Sequence, residues 1–129
     1  TAAYANQTPA FHINNSGEYV GGMFWDGIEA DLKEQAGGPP LNPIEMAMPN
    51  KETIVNRLKE DSTYRRPFTL LFGKQIFESA DATYEAIKES IAAFENTSFF
   101  SAFDSKYDRY LTGDYPLSEQ EELGMTLFF

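Results

Sequence analysis

Apolar positions recur at helical spacing along most of the chain, and nowhere do they alternate over more than four residues. The clearest case is Tyr84, Ile87, Ile91 and Phe94, spaced 3, 4 and 3 apart, which predicts one face of a helix over about 80–95 with Ser79 as its cap. Asn50 caps a second over 51–60, with Ile54, Val55 and Leu58 facing inward, and Ser62 caps a third over 63–72, closed by Gly73. Nearer the start, Ile28 and Leu32 lie four apart, with Glu29, Lys33 and Glu34 outward. This predicts a short helix over 28–36, which Gly37-Gly38-Pro39-Pro40 stops, because proline cannot continue a helix. Asn42 and Pro43 then open a very short helix carrying Glu45, Met46 and Met48 and ending near Pro49. Ser118 with Glu121 reads as a capping box for a last helix. Residues 1–23 read as loop or extended chain ending at Gly21-Gly22, and Phe99, Phe100, Phe103 and Tyr107 sit in a second loop. The fold class is all-α, with short helices and long ordered loops.

Composition narrows the function. The chain has 129 residues, one domain's worth, and its 42% hydrophobic and 15% aromatic content is too apolar for a disordered chain. No apolar run approaches the ~18 residues of a membrane span, and no signal peptide is visible. The formal net charge of −10 repels phosphate backbones, so nucleic acid is excluded as a partner. The same charge suits a basic protein partner or a cation, with solubility as the plain alternative. There is no cysteine, which excludes disulfides, zinc–thiolate sites, thiol catalysis and covalent attachment of a c-type heme within these residues. The chain opens on Thr1 and closes on Leu127-Phe128-Phe129 with no polar tail, so the natural chain is expected to continue beyond both ends.

One stretch is less ordinary. Phe24-Trp25-Asp26-Gly27 leads to Leu32 and Glu34-Gln35-Ala36, then Pro39 or Pro40, Asn42-Pro43 and Glu45-Met46. Downstream come Arg57-Leu58, Tyr64, Phe68, Phe72-Gly73 and Ala92-Ala93-Phe94-Glu95. Phe103-Asp104, Tyr107-Asp108-Arg109-Tyr110-Leu111, Gly113-Asp114, Leu117-Ser118, Glu121, Gly124 and Leu127-Phe128 complete the set, with Thr8-Pro9-Ala10 upstream. Each piece alone is weak, but in this order they resemble the N-terminal domain of bacterial diheme cytochrome c peroxidases and the related methylamine-utilisation diheme enzymes.

The resemblance implies a cytochrome c-like helical domain. Residues 1–116 would be most of the N-terminal peroxidatic heme domain without its Cys-x-x-Cys-His, and 117–129 the first helix of a truncated second domain. The parent would reduce hydrogen peroxide to water with electrons from a small cytochrome or copper protein, in the periplasm. Heme c belongs to the parent, and calcium to the parent's domain interface, since Asn6 or Gln7 offers at most one oxygen here. Gln35 and Glu45 stand at the positions that line the peroxide face of the heme. A carboxylate there moves a proton from one peroxide oxygen to the other, so Glu45 takes that role and Gln35 orients peroxide by hydrogen bonds. The plain alternative is an exposed helix Gln and a Glu near a helix N-terminus. Trp25 matches the family's Trp between the two hemes; otherwise it is a core anchor. Pro40 and Met46 pack near the cofactor, with Met46 and Met48 as gap fillers rather than iron ligands.

Some positions depart from the family. Ile28 replaces an Arg that follows Trp-Asp-Gly, and His12, the one histidine, falls after the Thr-Pro stretch and reads as a surface residue. Asp104, Asp108 and Asp114 lack the spacing of a calcium loop and read as caps and surface pairs. The sequons at Asn6, Asn14 and Asn96 read as chance matches in a bacterial protein. No metal ligands are assigned. The alternative function is a heme-less helical binding or scaffold domain related to the family. Alone, these residues are expected to be inactive, and their uncovered walls offer a route to a homodimer by swapping the last helix.

Overall fold

A computed structural model describes residues 2–129; Thr1, on which the chain opens, lies outside them. Among the described residues the structure is helical, as the periodicity predicts. A one-turn 3-10 helix at Ala5–Gln7 precedes a two-residue antiparallel hairpin, β1 (His12–Ile13) and β2 (Tyr19–Val20). Then follow α1 (Leu32–Leu41), α2 (Lys51–Glu60), α3 (Ser62–Phe72), a 3-10 turn at Ile76–Glu78, α4 (Ala80–Glu95), α5 (Lys106–Leu111) and α6 (Glu119–Phe128). Both strands lie in the stretch that reads as loop or extended chain in sequence: a two-residue strand is too short to show alternation.

The capped helices stand where their caps place them. The Asn50 side chain accepts from Thr53 N at 2.9 Å, and the Ser79 hydroxyl accepts from Ala82 N at 3.2 Å. The cap of α3 is Asp61 rather than Ser62, its carboxylate accepting from Thr63 N at 2.8 Å. The stretch after α4 is not all loop, because Ser105 and Asp108 form a capping box that starts α5 and takes Tyr107 into it. The predicted short helix at 43–48 is a turn. Glu45 N and Ala47 N both donate to Asn42 O, at 3.1 and 2.9 Å, and Ala47 takes a positive φ of 52° that ends any helical run.

The largest difference lies in α1. Asp31 caps it by accepting from Glu34 N at 3.0 Å, and it runs through Gly37-Gly38-Pro39-Pro40 instead of stopping there. Two prolines inside a helix remove two backbone donors, so this segment is held from outside. Tyr84 on α4 donates its hydroxyl to Gly37 O at 2.7 Å. The stem of Lys88, also on α4, packs on Gly37 so closely that a Cβ there would stand 3.0 Å from Lys88 Cδ. Tertiary contact overrides the local signal.

Lys88 is buried and bridges the two helices, donating to Glu34 Oε2 at 2.8 Å and Glu85 Oε1 at 2.9 Å, with Lys33 3.2 Å from Glu85. Burial alone would push its ammonium down, but the hydrogen bonds to Glu34 and Glu85 more than offset this and hold its pKa above the usual lysine value. Both carboxylates stay near half exposed, so they rehydrate if the cation is lost. Lys88→Met, which keeps the stem, is therefore expected to cost only about 1 kcal/mol. Lys88→Ala, which empties the contact with Gly37, should cost about 3 kcal/mol. Urea midpoints of the two variants check the ranking.

The core proper is small. Met23, Leu32 and Ala92 form its centre, with Ala36, Val55, Phe68, Tyr84 and Ala86 also buried. The chain exposes 9512 Å², whereas a folded monomer of 14.5 kDa exposes about 6,900 Å². The excess is concentrated on large apolar side chains, among them Phe94, Phe99, Leu70 and Leu71. The predicted apolar face of α4 shows why. Tyr84 is buried, Ile87 and Ile91 are only half buried and Phe94 is exposed, while α4 also buries Thr83, Lys88 and Ala92. Ile87 and Ile91, the middle of the stripe, face a cavity, not the core.

α6 buries none of its residues. Its N-terminus is tied to α5 by Lys106, which donates to Glu121 Oε1, and Ser118 donates to Glu121 Oε2 through both its backbone N and its hydroxyl, each at 2.8 Å. Lys106, then the Ser118 backbone and hydroxyl, lower the Glu121 pKa from 4.5 to about 2. A depressed folded-state value gives stability that is complete above 4.5 and is lost as pH falls through 2. α6 is expected to fray and leave α5 in that acid window, and Glu121→Gln should remove the pH dependence. The Ser118 amide shift followed by NMR against pH checks it.

Candidate functional site

The loop before α1 and the end of α4 close around one cavity of about 640 Å³, lined by Trp25, Phe24, Met23, Leu32, Gln35 and Glu95. The loop gets its course from Gly21 and Gly22, both at positive φ, which thread between the backbones of Pro9-Ala10 and Gly27. Gly22 N donates to Pro9 O at 2.9 Å, and Met23 N donates to Glu29 O at 2.7 Å, pinning both ends of the crossing. Phe24 follows in the left-handed region, with φ 63°, and reaches Gly38 of α1, where an added Cβ would meet its ring at 3.8 Å.

Gln35 is half buried on α1, and its carboxamide bonds to no group among the described residues. Trp25 is fully exposed, so it is not a core anchor, and its indole N–H also lacks a protein partner. Glu95 is the last residue of α4, and its Oε2 is buried with no hydrogen-bond partner. Gln35 and Glu95 thus reach, without a partner among the described residues, a cavity otherwise lined largely by apolar side chains.

A second cavity, of about 660 Å³, opens between the end of α1, α2 and the outer stripe of α4. Pro40, Met46, Met48, Leu58, Ile87 and Ile91 make it strongly apolar, and Arg57, Asp61 and Tyr64 also line it. The continuation of α1 through its prolines builds this wall, since Met46 N and Met48 N donate back to Pro39 O and Pro40 O at 3.3 and 2.9 Å. Arg57 Nη1 donates to Met48 Sδ at 3.4 Å.

The predicted site residues therefore divide. Gln35 and Trp25 share one cavity, and Pro40 and Met46 share the other. Glu45 is exposed in the intervening turn, lines neither cavity, and its Oε1 accepts from Asn42 Nδ2 at 2.7 Å. The stretch between Gln35 and Glu45, expected to break at Gly37-Gly38-Pro39-Pro40, is a helix followed by a turn. His12 is exposed, its Nδ1 donating to Ala10 O at 2.8 Å. Asn6 donates to the Ser101 hydroxyl at 3.0 Å. Asp108 and Asp114 serve as cap and surface partner, Asp114 accepting from the Thr112 hydroxyl at 2.8 Å.

Sequence reading assigned no role to Glu95 or Lys88. A signal existed for each. Glu95 is a carboxyl at a helix C-terminus with no basic residue in the last turn, which the helix dipole disfavours. Lys88 sits one turn from both Tyr84 and Ala92, on the buried side of α4.

The family model described as di-haem cytochrome c peroxidase matches residues 2–116. The methylamine utilization protein MauG of Paracoccus denitrificans is 47% identical over 128 residues, covering 99% of this chain and 33% of that protein. The cytochrome c peroxidase Ccp of Escherichia coli is 41% identical over 107 residues, covering 82% of this chain and 21% of its own length. Among solved structures, the diheme peroxidase BthA of Burkholderia thailandensis superposes with a TM-score of 0.90 at 26% identity, covering 98% of this chain and 30% of that one. The chain thus spans a third or less of each of these relatives.

Proposed function

The chain belongs to the diheme cytochrome c peroxidase family, and from that premise we propose that it is most of the peroxidatic N-terminal domain of a periplasmic enzyme that reduces hydrogen peroxide to water. Residues 1–116 make up that domain, and residues 117–129, with α6 burying nothing, are the first helix of a second. The electrons come from a small cytochrome or copper protein, and the net charge of −10 favours a basic one.

The observation that carries this reading is that Ile87 and Ile91 of α4 face the cavity of Pro40, Met46 and Met48 instead of a protein core. These residues fit a heme: the walls are apolar, and Arg57 stands among them as a cation for an acidic substituent. Attachment is left to cysteines outside these residues, since none is present within them. Bound there, heme c would supply the two electrons that cleave the O–O bond, with two protons giving two waters. Glu45 takes a proton from one peroxide oxygen and returns it to the other, its Oε1 steadied by Asn42. Gln35 presents both a donor and an acceptor to the peroxide and orients it.

The test is a visible spectrum of the protein expressed from its whole gene with a c-type heme maturation system. A Soret band that stays with the chain after denaturation supports the reading. A colourless full-length protein overturns it in favour of a heme-less helical binding domain.

A further inference from the structure

We propose that Glu95 is a positioning residue of the peroxide site, forming with Gln35 a two-sided clamp for a small hydrogen-bonding ligand in the cavity they share. The inference rests on the peroxidase reading above and names a group that reading does not use.

Three observations place Glu95 there. Its Oε2 is buried and takes no hydrogen bond from the protein, although it lines the same cavity as Gln35. It closes α4, where the helix dipole opposes a negative charge, and no basic side chain in the last turn offsets this. The Gln35 carboxamide on the same cavity is complementary: among the described residues its N–H groups have no acceptor, and Glu95 Oε2 has no donor. A buried polar atom left this way is destabilising, and its partner here is a ligand. Glu45, by contrast, is exposed, bonded to Asn42 and outside this cavity. Gln35 and Glu95 stand about one turn from Pro40 and Ile91 on α1 and α4, so a ligand they hold adjoins the heme cavity, where Glu95 accepts a hydrogen bond from peroxide or from a water beside it and the Gln35 amide meets a fixed target.

The experiment uses the heme-loaded whole protein, with hydrogen peroxide as the probe and Glu95→Ala, Glu95→Gln and Glu95→Met beside Gln35→Ala and Glu45→Gln. Glu95→Ala is expected to raise KM for peroxide about tenfold, the loss of one charged hydrogen bond, with kcat changed less. It should also shift the ferric heme spectrum in the same direction as Gln35→Ala, and Glu95→Gln, which keeps an acceptor, should restore most of both. Glu95→Met should raise the thermal midpoint while weakening peroxide binding, since it removes an unpaired buried oxygen; this arm stands even if the alanine variant fails to fold. Wild-type KM and spectrum in the Glu95 variants, with Gln35→Ala still perturbing both, would overturn the clamp and leave the peroxidase reading intact. If Gln35→Ala and Glu45→Gln are silent as well, the peroxidase reading of the site falls, and the clamp with it.

Discussion

Glu45→Gln in the heme-loaded whole protein is expected to lower peroxide turnover by roughly a thousandfold, the middle of the range for removing a general acid–base group. The substitution is chosen for what it preserves. Gln has the same length and can still accept from Asn42 Nδ2 through its carbonyl oxygen, so the turn closed by Glu45 N and Ala47 N on Asn42 O stays in place. Glu45 is exposed, and an exposed replacement of this kind shifts stability by no more than about 0.5 kcal/mol. What disappears is a group that can take up and return a proton. Steady-state kinetics should therefore show kcat and kcat/KM falling together, with heme content and thermal midpoint unchanged. A drop of less than about threefold would remove Glu45 from the chemistry.

Gly21→Ala should be the most destabilising small change in the loop that carries Trp25, at about 4 kcal/mol. Gly21 has φ +77°, which disfavours a side chain by about 1–2 kcal/mol. The larger part is steric. An added Cβ would lie 2.2 Å from Pro9 O and 2.8 Å from Ala10 O, and both are backbone atoms. Pro9 O cannot easily yield, because it accepts the Gly22 amide at 2.9 Å. Gly17 is the control: its φ is +80°, but nothing lies within 4 Å of its Cβ position. Gly17→Ala should show the backbone penalty alone, about 1–2 kcal/mol. Urea unfolding of the two variants separates the conformational cost from the clash, and equal midpoints would mean that the loop does not cross as described.

Local chemistry was readable wherever it acts over one turn. Asn50, Ser79 and Ser118 with Glu121 start helices where their side chains predict, because a cap needs only an amide two or three residues on. Cap identity failed at α3, where Asp61 and Ser62 are adjacent candidates and the carboxylate holds Thr63, and at Asn42, which opens a turn and not a helix. The ordered set from Phe24 to Phe128 was enough to point to the family, and the match over residues 2–116 bears it out.

What the chain by itself determined is an all-α domain, its capped helices and its family. What only the tertiary structure decided is which surfaces meet. α1 runs through Pro39 and Pro40 because Tyr84 and Lys88, some fifty residues on, hold Gly37 from the other side. Ile87 and Ile91 belong to a helix face in sequence, but their facing an open apolar cavity, with Lys88 on the buried side, depends on where α1 and α2 pack. Glu95 reads as one more surface charge until folding places its Oε2 unpaired in the cavity of Gln35 and Trp25. Caps and periodicity are short-range interactions written in neighbouring residues. The choice of covered face, and of the polar groups left without partners, belongs to contacts between segments far apart in the chain.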